Sequence, residues 1–165
     1  MGVAVPPSEV KRATTDKDFA TGRALIEEYA AALDVDLCFQ DFPEEISHLS
    51  EMYGPPRGFL LLACVSGEAI GCVAVREHDD DACEMKRLYV KPEHRGTGLG
   101  RRLAEIAVRN AKELGYARMV LDTLPEMTEA QSLYRSLGFR ETTGYYPNPL
   151  GGVRYLACQL ADVDR

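Results

Sequence analysis

The sequence predicts an α/β chain (mixed α+β) with a central mixed, mostly antiparallel twisted sheet of about six or seven strands, flanked by about four helices. Three observations carry this. Three consecutive strand-like runs, joined by short turns, follow two helical stretches in the first half. A glycine cluster at 96–100 then separates a strand from a helix. Beyond it, the order strand–helix–strand requires one parallel connection.

The elements follow in order. Residues 10–14 read as a short first strand. From Asp18 the apolar residues Phe19, Leu25, Ile26, Tyr29, Ala30 and Leu33 recur at helical spacing, with Asp16 or Asp18 placed to cap the start. Residues 34–42 form a loop rich in acids and aromatics, and Pro43 opens a second helix running to about Tyr53. Residues 58–65 and 69–76 make a hairpin about the turn Ser66-Gly67-Glu68, and 82–90 is the third strand of this meander. A helix follows the glycine cluster to Leu114 and is closed by Gly115. Residues 119–123 form a buried strand and 127–137 a helix stopped by Gly138. Residues 140–143 and 153–160 close the sheet, and a free edge at 153–160 would allow a homodimer.

Bulk properties bound the function. The 165 residues, 45% of them hydrophobic, suit a single domain spanning 1–165 with a core that needs no metal or disulfide. A net charge of -7 argues against nucleic acid as the main partner, because phosphate backbones require clustered Lys and Arg. The five cysteines (Cys38, Cys64, Cys72, Cys83, Cys158) contain no C-x-x-C pair and read as buried reduced thiols. The three histidines are scattered, so no metal is expected. There is no leader-like segment and no run near the ~18 apolar residues of a membrane span, which points to the cytoplasm and no membrane partner.

The chemistry concentrates in Arg95-Gly96-Thr97-Gly98-Leu99-Gly100. Glycines let the backbone approach a ligand, and a helix N-terminus offers unpaired N–H groups and a positive dipole end. Together they suit pyrophosphate, and Arg95 adds a charge-assisted donor. Arg101-Arg102 stands where a Walker A motif needs Lys then Ser or Thr. The Gly-x-Gly-x-Gly spacing and its mid-chain place do not match a dinucleotide fold. The phosphate cradle of an acyl-CoA enzyme, Arg/Gln-x-x-Gly-x-Gly/Ala, matches Arg95, Gly98 and Gly100; a tight turn without a ligand is the plain alternative.

With that loop, the segment Cys83-Glu84-Met85-Lys86-Arg87-Leu88-Tyr89-Val90-Lys91-Pro92 and the pair Leu133-Tyr134 before Leu137-Gly138-Phe139, the chain resembles the GNAT superfamily of N-acetyltransferases along nearly its whole length. The resemblance implies the GNAT-like acyl-CoA N-acyltransferase fold and acetyl-CoA as cosubstrate. It implies acetyl transfer to a primary amine of a small molecule or peptide, by direct attack with acid and base help. It places Leu88, Tyr89 and Val90 along the pantetheine arm, and Arg95, Gly96, Thr97, Gly98, Leu99 and Gly100 about the pyrophosphate. Tyr134 is the expected acid that protonates the departing thiolate. Glu84, eleven positions before Arg95, is the candidate base, directly or through water. Its structural alternative is a strand acid paired with Lys86 or Arg87. Met127 stands where many members carry a cofactor-touching asparagine.

The family's acceptor pocket falls on two loops, which here hold Phe39 and Asp41, then Tyr145 and Tyr146. Acids beside aromatics would suit a cationic amine. A non-catalytic acyl-CoA-binding sensor is the rival reading, although such a module need not keep both Glu84 and Tyr134.

Overall fold

The computed structural model describes residues 8–33, 41–145 and 152–163. The chain runs β1 (Glu9–Arg12), α1 (Asp16–Ala32), α2 (Phe42–Ser47), α3 (Leu49–Met52), β2 (Phe59–Val65), β3 (Glu68–Glu77) and β4 (Ala82–Val90). It continues through α4 (Leu99–Glu113), β5 (Arg118–Thr123), α5 (Thr128–Ser136), β6 (Arg140–Glu141) and β7 (Arg154–Gln159). The seven strands form one sheet in the order β1-β2-β3-β4-β5-β7-β6. Every pairing is antiparallel except β4 with β5. This is the expected mixed sheet, with helices on both faces.

Local chemistry sets the helix starts. Thr15 caps α1: the Asp18 N–H donates to Thr15 Oγ1 at 3.1 Å, and the Thr15 N–H donates to Asp18 Oδ2 at 3.3 Å. The cap is thus Thr15, with Asp18 closing a capping box from the third helical position, rather than Asp16 or Asp18 itself. Gly22 lets α1 lie on the sheet, since a Cβ there would stand 2.3 Å from Leu60 Cδ2. The single helix expected over 43–53 is two short ones, because His48 leaves helical dihedrals at φ -124 and ψ 33.

The sheet separates two cores. Val73, Val75, Met85 and Leu121 pack with Leu103, Ala107 and Val108 of α4 on one face. Leu60, Leu62, Cys72 and Ala74 pack with Leu25 and Ile26 of α1 and Leu49 of α3 on the other. Cys64, Cys72, Cys83 and Cys158 are unpaired thiols, and Cys38 lies outside the described residues. One expectation fails: residues 153–160 are no free edge. Strand β7 is paired on both sides, by β5 and β6, so the edges are β1 and β6.

A bulge in β4 sets how that strand meets α2. Cys72 faces Tyr89 and Ala74 faces Lys86, so two residues of β4 oppose the single Val73. Arg87, one of the two, adopts φ 61, in the left-handed region. The bulge turns Arg87 toward α2, where it meets Glu45 in a bidentate pair, Nε to Oε2 at 2.8 Å and Nη2 to Oε1 at 2.7 Å. Both side chains are buried. Burial alone would raise the Glu45 carboxyl; the Arg87 hydrogen bonds and charge outweigh it and hold it below 4.5.

Glu45→Ala should therefore cost about 3–5 kcal/mol at neutral pH in urea denaturation, because it strands a buried guanidinium. With a depressed folded pKa, the pair's contribution is complete above 4.5 and is lost as the pH falls through the lower folded value. The gap between wild type and variant should narrow over that acidic range.

Candidate active site

The parallel ladder between β4 and β5 covers only three pairs, Ala82–Arg118, Cys83–Met119 and Glu84–Val120. Beyond Glu84 the β5-facing backbone groups of β4 have no strand partner. A cavity of about 570 Å³ opens there. Its walls are Met85 to Val90 of β4, Asp122 and Thr123 of β5, and the start of α5 with Met127 and Tyr134. Tyr29 and Ala32 of α1, with Leu33 just after it, close the far end, and Arg95 stands at the near one.

From Arg95 the space continues into a second cavity of about 560 Å³ along the glycine loop, and Val90, Arg95, Thr128, Glu129 and Ala130 border both. Gly96 and Gly98 adopt φ 78 and 83. A Cβ built on either meets nothing within 4 Å, so the loop presents bare backbone to open space. Gly98 is the N-cap of α4 and the helix start has no side-chain cap. The first-turn N–H groups are therefore available to an anion, at the positive end of a 15-residue helix. Arg95 Nε donates to the Val90 carbonyl at 3.0 Å, which fixes its guanidinium at the junction of the two cavities. The cradle and the unpaired strand edge fit the pyrophosphate and pantetheine of acetyl-CoA.

The remaining expected cofactor residues divide. Leu88, Val90 and Met127 line the gap. Tyr89 borders it too, but its hydroxyl donates to Glu28 Oε2 at 2.6 Å and ties β4 to α1. Thr97 is exposed, its hydroxyl donating to the His94 carbonyl at 2.8 Å, and Leu99 is buried in the core while it also borders the loop cavity.

Tyr134 projects from α5 into the wall of the gap and packs its ring against Phe139, centroids 5.8 Å apart. Burial pushes its phenol above the ordinary value of 10.0, so it stays protonated through neutral pH.

Glu84 departs from expectation. It is 1% exposed and does not border the cavity. Arg76 Nε donates to its Oε1 at 2.9 Å and the Tyr145 hydroxyl donates to its Oε2 at 2.7 Å. Burial would raise this carboxyl, but the charge of Lys86, then that of Arg76, and the Tyr145 hydrogen bond hold it below the usual range. A carboxylate with both oxygens engaged and a depressed pKa is a poor direct base. Its hydrogen-bonded cation is Arg76, on the neighbouring strand, rather than the expected Lys86 or Arg87.

Of the expected acceptor residues, Tyr145 is the hydroxyl on Glu84, stacked edge-on against His78 and Tyr155. Asp41 is exposed, at φ 56 before α2, and does not border the cavity. Phe39 and Tyr146 lie outside the described residues. Sequence reasoning missed Tyr29, Arg76, Glu45 and Asp122. Period-two alternation along β3 and β5 would have placed Arg76 and Asp122 on the Glu84 face once the register was known. Among the described residues no helix is long and apolar enough to cross a membrane, and no group of three His, Cys, Asp or Glu could hold a metal ion.

A parted parallel strand pair, leading to a glycine cradle at a helix N-terminus, defines the class: an acyltransferase using an acyl-CoA donor. Residues 23–139 match the sequence profile of the acetyltransferase (GNAT) family, and the chain belongs to that family. It is 41% identical over 147 residues to an uncharacterised N-acetyltransferase of Schizosaccharomyces pombe, a match covering 88% of this chain and 90% of the relative. An acetyltransferase structure from Streptococcus agalactiae superposes with a TM-score of 0.75 at 24% identity, covering 92% of this chain and 98% of the other. The yncA acetyltransferase of Salmonella typhimurium, solved with acetyl-CoA, superposes with a TM-score of 0.66 at 21% identity, covering 96% of each chain.

Gly98→Asp should weaken acetyl-CoA binding at least about tenfold in calorimetry, since it fills the cradle and adds a negative charge where the pyrophosphate would sit. Unchanged affinity in folded protein would remove the pyrophosphate from this loop.

Proposed function

We propose that the protein transfers the acetyl group of acetyl-CoA to a primary amine of a small molecule or peptide. The observation that carries this reading is the continuous gap from the Gly96–Gly100 cradle to the α1 end of the cavity, with Tyr134 in its wall. The loop backbone, with Arg95, would hold the pyrophosphate. The unpaired N–H groups of Leu88 and Val90 would hold the arm and polarise the acetyl carbonyl. Bound acetyl-CoA supplies a thioester, whose carbon forms a bond to the amine nitrogen as the carbon–sulfur bond breaks and the thiolate takes up one proton.

Tyr134 holds that proton. Its raised pKa keeps the phenol loaded, and it is regenerated from solvent through the cavity. The amine's surplus proton leaves to water in the cavity, whose wall includes the β5 carboxylate of Asp122. Glu84 we assign as a positioning residue: it fixes Arg76 and Tyr145 beneath the acceptor end and offsets the charge of Lys86.

Calorimetric titration with acetyl-CoA, followed by a thiol-release assay against an amine panel, tests the reading. Selective binding with turnover supports it. Binding without turnover of any amine would assign the non-catalytic sensor instead, and absence of binding would sink both. Tyr134→Phe should lower kcat by about 10²–10⁴ with little change in acetyl-CoA affinity. Wild-type kcat should show no alkaline loss from this group below pH 10.0.

A further inference from the structure

Two buried hydroxyls have no hydrogen-bond partner among the described residues, those of Tyr53 and Thr123. Tyr53 lies in the field of the Glu45 carboxylate and the Arg87 guanidinium, and it borders neither cavity of the site. Thr123 is different: it is 4% exposed, yet it borders the gap. It ends β5, held there by its pairing with Arg154 of β7. By alternation its side chain shares a face with Met119 and Leu121, whose core includes Tyr134.

The parallel ladder stops at Glu84–Val120. Counting on from that rung puts Thr123 level with Arg87, just before Leu88. Cys83 and Met85 of β4 pack in the core that Met119 and Leu121 share, and straight alternation would send residue 87 there too, opposite Thr123. The bulge turns Arg87 away to Glu45 and Phe42 instead. A buried hydroxyl without a partner is destabilising. Valine has the same shape, fits a strand as well and carries no such penalty. Folding therefore gives no reason for an oxygen at this position.

We propose that Thr123 is a donor-binding residue whose hydroxyl serves the thioester end of acetyl-CoA. The proposal rests on the acetyl-transfer reading above and deepens it. Leu88 would meet the acetyl carbonyl from the β4 bank, and Thr123 would meet the same end of the donor from the β5 bank. The staggered wells of threonine lie roughly 120° apart, so one step about χ1 exchanges methyl and hydroxyl and turns the oxygen to a ligand. The hydroxyl can then donate to the thioester and, after transfer, to the thiolate, beside the Tyr134 phenol that supplies the proton.

The test is calorimetry and thermal melting of Thr123→Val and Thr123→Ser, with acetyl-CoA, CoA and adenosine 3′,5′-diphosphate as ligands. The last lacks the arm and reads the cradle alone. Thr123→Val should weaken acetyl-CoA and CoA by about three- to tenfold and leave adenosine 3′,5′-diphosphate unchanged. Without ligand it should melt at or above the wild-type temperature, because the orphaned oxygen is gone. Thr123→Ser should bind acetyl-CoA within about twofold of wild type, since it keeps the hydroxyl. Unchanged acetyl-CoA affinity in Thr123→Val, an equal loss for adenosine 3′,5′-diphosphate, a lower melting temperature, or a loss that Thr123→Ser shares would each overturn the proposal. Wild-type protein that binds none of the three ligands would strike the donor reading itself, and this proposal with it.

Discussion

The end of the β4–β5 ladder at Glu84–Val120 is the constraint on which the rest of the molecule depends. A parallel pair in mid-sheet would ordinarily continue, since each broken rung leaves buried N–H and C=O groups that cost free energy unless something pairs them. Here the broken rungs face a cavity, and the sheet is held together elsewhere. Strand β5 keeps six pairs with β7, and β4 keeps its ladder with β3. The gap is a stored set of hydrogen-bonding groups, stable because both banks are anchored to the strands behind them.

Both banks need fixed positions for that set to be useful, and the bulge at Arg87 supplies one. A non-glycine residue at φ 61 is strained by about 1–2 kcal/mol. The buried Glu45 pair offsets the strain, because unwinding the bulge would strand a charge on each side. The same pair pins α2 against β4, and Tyr89 to Glu28 pins α1. The β4 bank of the gap is thus fixed by side chains of β4 reaching to helices far away in sequence.

That origin explains what could be read from the sequence. The strand at 82–90, the glycine loop, the buried strand before α5 and the placing of Tyr134 depend on local periodicity and turn chemistry, and the structure has them where the residues pointed. The break at His48, the bulge and the Glu45–Arg87 pair depend on tertiary contacts, the last of them 42 positions apart, which no local window contains. Glu84 is the instructive case. Its offset from Arg95 is a local feature and fits a base. Its partners Arg76 and Tyr145 come from β3 and from the segment after β6, and they determine what its carboxylate can do.

With Glu84 engaged, the acetyl-transfer reading proposed above would leave proton removal from an amine to the cavity's field rather than to one strong base. Under that reading, an ammonium entering beside Lys86 and Arg87 would be disfavoured in its charged form, so its pKa would fall and a weaker acceptor of the proton would suffice. The cations lining the gap would then ease deprotonation of the amine. Glu84 and Glu45 set how much of that positive field remains, because each offsets the charge of one arginine beside Lys86.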